Sequence, residues 1–277
     1  MREIIVGLPD PPVLVSDFNP AVMLLFFGAT AVAAVGLACY WAFTRRDALP
    51  IVTCLGAAIC SLNEPIFDIL GKITYAENNP IAFTAFGRAI PWFLVVGYIA
   101  WVGLFPYVIA TWMAAGWSKR RLYLVSVLGM LSVVGTEVVN RFVHGWKYYG
   151  EPPLQFFGGV AAMASVPLVA GFLLYALALP ATGFRRLVAG LFIPLLSLPM
   201  MFASTGFPLY IALYGNFPPV FNYVAVVALL VLIWVAVVGT VQLTEMWRSG
   251  GGLVFQPVKT GQSVRSNPEN PVMEDVS

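Results

Sequence analysis

The stretch VFNYVAVVALLVLIWVAVVGTV, residues 220–241, contains 22 residues and no charged side chain. A helix needs about 20 apolar residues to cross the ~30 Å hydrocarbon core of a bilayer. Helices are the expected spanning structure, because an open sheet would leave backbone groups without hydrogen-bond partners in lipid. This stretch therefore predicts a transmembrane helix.

Six other apolar runs meet the same standard. Together with 220–241 they give seven predicted spans: 20–43, 49–70, 89–112, 122–143, 156–179, 187–213 and 220–241. The composition agrees, since 60% of the 277 residues are hydrophobic and only 10% are charged, against about 25% charged in soluble domains. The alternating pattern of barrel strands is absent. We therefore predict an all-α integral membrane bundle of seven transmembrane helices.

The basic residues between the runs predict the orientation. Seven spans place ten basic residues on one side and five on the other; the richer side has Arg45, Arg46, Lys119, Arg120, Arg121, Arg185, Arg186, Arg248, Lys259 and Arg265. Short cytoplasmic loops are enriched in Lys and Arg. We therefore expect the N-terminus outside the cytoplasm and the C-terminus inside it. We expect the membrane to be the plasma membrane.

Three regions follow from this topology. Residues 1–19 have three prolines and no long apolar core, so we expect an extracytoplasmic segment and not a cleaved signal peptide. Residues 20–247 form the predicted seven-helix transmembrane domain. Residues 248–277 are polar and rich in Gly, Ser, Pro and Asn, which predicts a disordered cytoplasmic tail.

Several functions are excluded by composition. The net charge of +2 and the lack of a basic run argue against nucleic-acid binding. Neither the three cysteines nor the single histidine has metal-type spacing, and we find no phosphate loop, so we expect no metal and no cofactor. A proton pump needs polar groups along the whole path, whereas the inner half of this bundle is nearly uncharged.

The carboxylates inside the apolar runs are the candidate catalytic residues. Glu64 and Asp68 are four residues apart and share a helix face. Glu64 lies 15 residues after position 49, and Glu137 lies 15 residues after position 122. At about 1.5 Å per residue, both should lie ~22 Å from the inner face. Burial favours a neutral carboxylic acid, which can donate a proton.

A polar stripe in the fourth run also indicates a protein-facing or wet surface. It consists of Glu137, Asn140, Arg141 and His144, at positions i, i+3, i+4 and i+7. A purely structural alternative stays open, because Glu137 can pair with Arg141, and Asp68 with Lys72, on their own helices. Glu64 has no such partner at i±3 or i±4, so it either requires one on another helix, with Arg88 and Arg141 as candidates, or is protonated.

Aromatic residues are frequent in the predicted outer half. Tyr98, Trp101 and Tyr149 belong to this set, which fits an interfacial belt or, for a few members, a pocket that stabilises a carbocation. The sixth run contains Pro194, Pro199 and Pro208, which predict a bent helix.

Longer stretches resemble one known family. NEPIFDILGKITY at 63–75, with AFGRAIPWFLVVGYIAWVG at 85–103, is similar to the second and third helices of actinobacterial spirocyclases of the AveC family. YYGEPPLQFFGG at 148–159 resembles their fourth-to-fifth connection. The resemblance extends over roughly residues 49–241 and includes three short motifs. The E-P-x-x-D motif corresponds to Glu64, Pro65 and Asp68, and the G-R-x-x-P motif corresponds to Gly87, Arg88 and Pro91. The Y-Y-G-x-x-P motif includes Tyr149, Gly150 and Pro153.

The resemblance implies an enzyme of polyketide biosynthesis that closes a lipophilic dihydroxy-ketone into a spiroketal without a cofactor. On this hypothesis Glu64 is the acid, and Asp68 or Glu137 is the assisting carboxylate. The residues expected to bind substrate or tune charge are Arg88, Arg141, Asn140, His144, Tyr98, Trp101 and Tyr149. Two alternatives remain: a membrane-bound terpene cyclase, and a protein that binds or transports a membrane lipid without chemistry.

Overall fold

The computed structural model describes residues 11–19, 21–150, 164–215 and 217–251. Within these ranges, six helices are long and apolar enough to cross a membrane: Ala21–Arg45, Leu49–Gly71, Trp92–Ala114, Lys119–Val143, Gly183–Tyr214 and Val220–Gly250. The chain is a multi-pass helical membrane protein. The predicted fifth span, 156–179, lies partly outside the described residues, and its described part is the short apolar helix Val166–Ala178.

Several spans are built from more than one helical element. In chain order the helices are α1 (Ala21–Arg45), α2 (Leu49–Cys60), α3 (Glu64–Gly71), α4 (Trp92–Tyr98), α5 (Phe105–Ala114), α6 (Lys119–Val143), α7 (Val166–Leu173), α8 (Gly183–Tyr214) and α9 (Val220–Met246). A 3₁₀ turn, Ser61–Asn63, joins α2 to α3, and a π-helical turn, Ile99–Leu104, joins α4 to α5. Two more π turns, Leu174–Ala178 and Trp247–Gly251, follow α7 and α9.

Four short strands were not predicted from the sequence. They form two antiparallel pairs, β1 (Ile73–Tyr75) with β4 (Trp146–Tyr148), and β2 (Ile81–Ala85) with β3 (Arg88–Pro91). Because β3 occupies the start of the predicted third span, the helix begins at Trp92 and not at residue 89. The fold is thus a helical bundle with small strand pairs in its connections.

These strands lie at one end of the bundle, which we call the strand end. There the hydroxyl of Ser16 donates to the carbonyl of Val143, so the N-terminal segment contacts the end of α6. The ammonium group of Lys72 donates to the carbonyl of Leu213, so the ends of α3 and α8 also meet.

Arginine side chains join the connections at the opposite end, which we call the basic end. Arg186 Nη2 lies 2.6 Å from Asp47 Oδ2 and connects the loop after α1 to the start of α8. Arg248 Nη1 donates to the carbonyl of Trp117 over 2.7 Å and connects the end of α9 to the loop before α6.

Helix packing leaves a space on one side of the bundle. α2 packs closely on α8, and a Cβ atom at Gly56 would lie 2.2 Å from the carbonyl oxygen of Leu191, so only glycine fits there. α1 packs against α2, α4 and the π turn, whereas α6 packs against α7 and α9. The candidate site occupies the space between α1 and α6.

The chain ends differ in part from the sequence prediction. Residues 11–19 are irregular, as expected for a segment outside the membrane domain, and residues 1–10 lie outside the described residues. The predicted tail begins at residue 248, which lies within the last described π turn, Trp247–Gly251. Residues 252–277 lie outside the described residues.

Candidate functional site

Glu64 lies at the junction between the 3₁₀ turn and α3. Pro65, which follows it, has no N–H to donate to the Ser61 carbonyl. Instead, the backbone N–H of Glu64 donates to that carbonyl, which closes the 3₁₀ turn. The proline thus sets the local geometry that directs Glu64 inward, where its exposed fraction is 3%.

Two tyrosine hydroxyls hold the Glu64 carboxyl group. The hydroxyl of Tyr75 donates to Oε1 over 2.6 Å, and the hydroxyl of Tyr98 donates to Oε2. The sequence analysis offered either a basic partner for Glu64 or a protonated carboxyl group, and the hydrogen-bond partners found for it are tyrosines. A carboxyl group held by neutral hydroxyls keeps the freedom to gain or lose a proton, because no fixed positive charge compensates its ionised form.

Glu137 has a related but different environment. It lies in the last two turns of α6 with an exposed fraction of 6%. The hydroxyl of Tyr148 donates to Oε1 over 2.6 Å, and the indole Nε1 of Trp146 donates to the same atom over 3.3 Å. Both bonds use Oε1, so neither engages Oε2.

The pair β1–β4 connects the two carboxyl groups. Its register places Tyr75 opposite Trp146 and Ile73 opposite Tyr148. Directly paired residues of an antiparallel ladder point to the same face, so these four side chains share one face. Three of them donate hydrogen bonds to Glu64 or Glu137, which makes this strand pair the scaffold of the site.

Both carboxyl groups line one cavity of about 660 Å³. The wall is mostly apolar and aromatic and includes Phe26, Phe27, Leu94, Trp101, Phe105, Leu128 and Val133, with Tyr75, Tyr98, Trp146 and Tyr148 beside the carboxyl groups. The predicted residues Glu64, Glu137, Tyr98 and Trp101 are therefore brought together. The volume falls in the range of about 300–1,000 Å³ typical of small-molecule sites.

Asn140 stabilises the scaffold from outside the cavity wall. Its side-chain amide donates to the backbone carbonyl of Trp146 over 2.9 Å, and its Oδ1 accepts from the backbone N–H of Trp146 over 2.9 Å. The amide thus takes the place of a neighbouring strand and fixes Trp146. Predicted as a substrate-binding residue, Asn140 holds the backbone of β4.

Asp68 lies beside the site and not in the cavity wall. Its exposed fraction is 1%, and among the described residues neither carboxyl oxygen has a hydrogen-bond partner. The alternative in which Asp68 pairs with Lys72 is not realised, since the Lys72 ammonium group donates to the Leu213 carbonyl. Lys72 has a φ of 50°, which ends α3 and directs its ammonium group to the Leu213 carbonyl and over the Tyr214 ring.

Arg88 and Tyr149 are outside the set of residues that lines the cavity. Arg88 Nη2 donates to the Tyr149 hydroxyl over 2.8 Å, while the buried Nη1 has no partner among the described residues. The guanidinium group attracts the Asp68 carboxylate. These two predicted substrate-binding residues therefore bind each other and do not line the cavity.

The last two residues of the predicted stripe, Arg141 and His144, are exposed at the strand end. His144 has a φ of 54°, caps α6 in the left-handed conformation and lies 3.5 Å from Asp17 through its Nδ1 atom. Because the helix ends there, the i+7 position does not continue the buried face.

The two strand tyrosines remain neutral hydroxyls. Burial, with the neighbouring carboxylates as the next cause, raises the pKa of Tyr75 and of Tyr148 well above the usual tyrosine value. Each can therefore donate one hydrogen bond and accept others, whereas the Trp146 indole can only donate. The described residues contain no cluster of three or more metal-binding side chains.

Comparison with protein-family models, curated protein sequences and solved structures finds no match for this chain. The resemblance to spirocyclases therefore rests on the motifs alone.

Sequence reasoning missed Tyr75, Trp146 and Tyr148. The available signal was the pair of short segments I-T-Y and W-K-Y, in which large apolar or aromatic residues alternate with a polar one. Each segment flanks a helix that carries a buried carboxylate, so their pairing would have predicted aromatic partners for both groups.

Proposed function

We propose that this protein is a membrane-embedded, cofactor-independent cyclase that closes a lipophilic, polyketide-like dihydroxy-ketone into a spiroketal by acid catalysis. The observation that carries the proposal is that Glu64 and Glu137 line the same apolar cavity. In such a pair, one carboxyl group can act as the proton donor and the other as the proton acceptor.

The hydrogen bonds favour Glu64 as the acid. Its two partners, Tyr75 and Tyr98, are hydroxyls that can rotate. When Glu64 carries a proton, one tyrosine can accept a hydrogen bond from it and turn its own O–H elsewhere. The neutral acid is therefore accommodated without a clash between two donors.

The hydrogen bonds favour Glu137 as the assisting base. The Trp146 indole always donates, so Glu137 Oε1 must accept. Oε2 takes no part in the bonds from Trp146 and Tyr148, and it can accept a proton from a substrate hydroxyl.

The reaction balances with these roles. One hydroxyl of the substrate adds to its ketone and gives a hemiketal. Glu64 protonates the hemiketal hydroxyl, which leaves as water and gives an oxocarbenium ion. The second substrate hydroxyl attacks this ion, a C–O bond forms, and its proton passes to Glu137. The substrate loses one water, Glu64 ends ionised and Glu137 ends protonated.

The cavity wall supports a lipophilic substrate and a cationic intermediate. The faces of Trp101, Phe27 and Phe105 contribute to it, and aromatic faces attract cations. The apolar surroundings also limit the access of water to an oxocarbenium ion, which favours capture by the tethered hydroxyl.

The test compares lipid extracts by high-resolution mass spectrometry. A deletion strain receives wild type, Glu64→Gln, Glu137→Gln, Glu245→Gln or an empty vector. Glu245 pairs with Arg248 at the basic end and serves as the matched control. We expect a precursor heavier than the product by one water to accumulate with Glu64→Gln, Glu137→Gln and the empty vector only.

Other outcomes separate the alternatives. A product with the same mass as its precursor indicates a terpene cyclase, because that cyclisation is isomeric. An unaltered lipid that copurifies with wild type, with no metabolite difference from the empty vector, indicates lipid binding or transport and rejects the cyclase.

The proposal includes seven spans in the plasma membrane, with the strand end outside the cytoplasm. The span that this count adds to the six long helices is the predicted fifth one, 156–179, whose described part ends near Arg186; Arg186 Nη1 donates to the Leu179 carbonyl over 2.6 Å. The basic end is rich in Arg and Lys, which supports a cytoplasmic position. Alkaline phosphatase fused after residue 150 should be active, and the same enzyme fused after residue 182 should be inactive; the reverse pattern rejects this orientation.

A further inference from the structure

Asp68 is a buried carboxyl group that does not line the cavity. Its exposed fraction is 1%, and neither oxygen has a hydrogen-bond partner among the described residues. A buried polar group without a partner costs roughly 1–3 kcal/mol, so its presence calls for a physical reason.

Tyr75 lies between Asp68 and Glu64. Its hydroxyl donates to Glu64 Oε1 over 2.6 Å, and it also interacts with the Asp68 carboxyl group. Asp68 and Glu64 are one turn apart on α3, on the same face. The Tyr75 hydroxyl thus binds the carboxyl group in the cavity wall and interacts electrostatically with the Asp68 carboxyl group, which does not line the cavity.

The hydrogen-bond inventory of Tyr75 permits two arrangements. In the first, Asp68 is protonated and donates to the Tyr75 oxygen, while the Tyr75 O–H donates to ionised Glu64. In the second, Glu64 is protonated and donates to the Tyr75 oxygen, while the Tyr75 O–H donates to ionised Asp68. Each arrangement contains one acid proton and one net negative charge. In each arrangement Asp68 also gains a hydrogen-bond partner.

We propose that Asp68 and Glu64 share one acid proton through the Tyr75 hydroxyl, with Asp68 as the positioning residue that resupplies the proton to Glu64. In the transfer, Asp68 gives its proton to the Tyr75 oxygen as the Tyr75 O–H proton passes to Glu64. No bond other than O–H changes, and no co-reactant is needed.

Arg88 defines the far end of this path. Its guanidinium group faces Asp68, and its buried Nη1 lacks a partner among the described residues. A positive charge on that side stabilises Asp68 when the proton is on Glu64. The cation therefore favours the arrangement in which the cavity-facing group is the acid.

The sharing of a proton is testable without knowledge of the substrate. The protein is reconstituted in phosphatidylcholine nanodiscs, and the C=O stretch of protonated carboxyl groups is recorded by infrared spectroscopy. We expect a band that disappears in the Glu64→Gln/Asp68→Asn double variant. The band should shift in Tyr75→Phe and in Asp68→Asn. It should stay in place in Tyr148→Phe, the matched control, whose hydroxyl binds Glu137.

An unshifted band in both Tyr75→Phe and Asp68→Asn would overturn the proposal. Asp68→Asn keeps the shape of the side chain, so its thermal unfolding separates a folding defect from a loss of coupling. Glu64→Gln alone identifies which part of the band belongs to the cavity-facing acid.

The kinetic role of Asp68 rests on the proposed function. We expect Asp68→Asn to lower kcat at least ~10-fold with KM unchanged, less than the ~100-fold or more that a direct general acid supplies. Asp68→Glu should restore part of kcat. Infrared coupling without turnover in the wild type rejects the cyclase and keeps the shared proton. Turnover with a wild-type kcat in Asp68→Asn rejects the relay and keeps the cyclase.

Discussion

The carboxyl groups at the two ends of the bundle have different kinds of hydrogen-bond partner. At the basic end, Arg186 binds both oxygens of Asp47, with Nε at 3.2 Å and Nη2 at 2.6 Å, and its Nη1 donates to backbone carbonyls. At the strand end, Glu64 and Glu137 are held by tyrosine and indole groups without charge.

This difference bears on which carboxyl groups can change their protonation state. A bidentate pair with arginine fixes a carboxylate in its ionised form, because the guanidinium group cannot lose its proton. A carboxyl group between hydroxyls can exist with or without its proton at a smaller cost. The basic end therefore connects helices, whereas the strand end has the composition of a proton-transfer site.

The sharpest test of this comparison replaces one carboxyl group at each end by the corresponding amide, in two separate variants. We expect Glu64→Gln to lower kcat at least ~100-fold, whereas Asp47→Asn leaves kcat per folded molecule unchanged. Turnover is measured on purified protein in nanodiscs with the precursor identified by mass spectrometry. Equal losses in the two variants would mean that the strand end has no special role.

Loss of the β4 anchor is expected to have the next largest effect. Asn140→Ala removes both side-chain bonds to the Trp146 backbone and leaves a buried N–H and C=O unpaired, which costs about 1–3 kcal/mol. Because Trp146 and Tyr148 orient Glu137, turnover should also fall. Thermal unfolding and kcat are measured together; a stable protein with full activity would show that the strand pair does not organise the site.

At the basic end, removal of Arg186 should affect stability alone. Its side chain is about one-fifth exposed, with a relative accessibility of 22%, so solvent already screens part of the pair. We expect Arg186→Ala to cost ~1–2 kcal/mol, seen as a lower unfolding temperature in detergent. Arg186→Lys is the control and should recover only part of the lost stability, since Lys cannot bind both carboxylate oxygens in parallel. A fall in kcat per folded molecule would connect the basic end to the chemistry.

Hydrophobic pattern and helix geometry predicted the parts of the site that lie within helices. Counting residues from the start of each span placed Glu64 and Glu137 at equal depth, and both line the cavity. The i, i+3 spacing of Glu137 and Asn140 holds because both lie within α6, and both are buried. These predictions depend only on local periodicity.

The predictions that failed assumed that a helix continues beyond its end. Lys72 and His144 both have positive φ values, 50° and 54°, and end α3 and α6. Beyond such a residue the i+4 and i+7 relations no longer describe neighbours. The pairing of β1 with β4 joins segments about 70 residues apart in the sequence, and short strands like these form only when tertiary contacts bring them together.

The smallest expected effect concerns His144, the last member of the predicted stripe. It lies on the surface at the strand end, with 54% of its side chain exposed, and contacts Asp17, whose side chain is 86% exposed. His144→Asn keeps a residue that tolerates the left-handed conformation, so the unfolding free energy should change by less than ~0.5 kcal/mol. Turnover and its pH profile should match those of the wild type. A changed pH profile with unchanged stability would bring His144 into the proton path and would extend the reactive region from the buried carboxyl groups to the surface of the strand end.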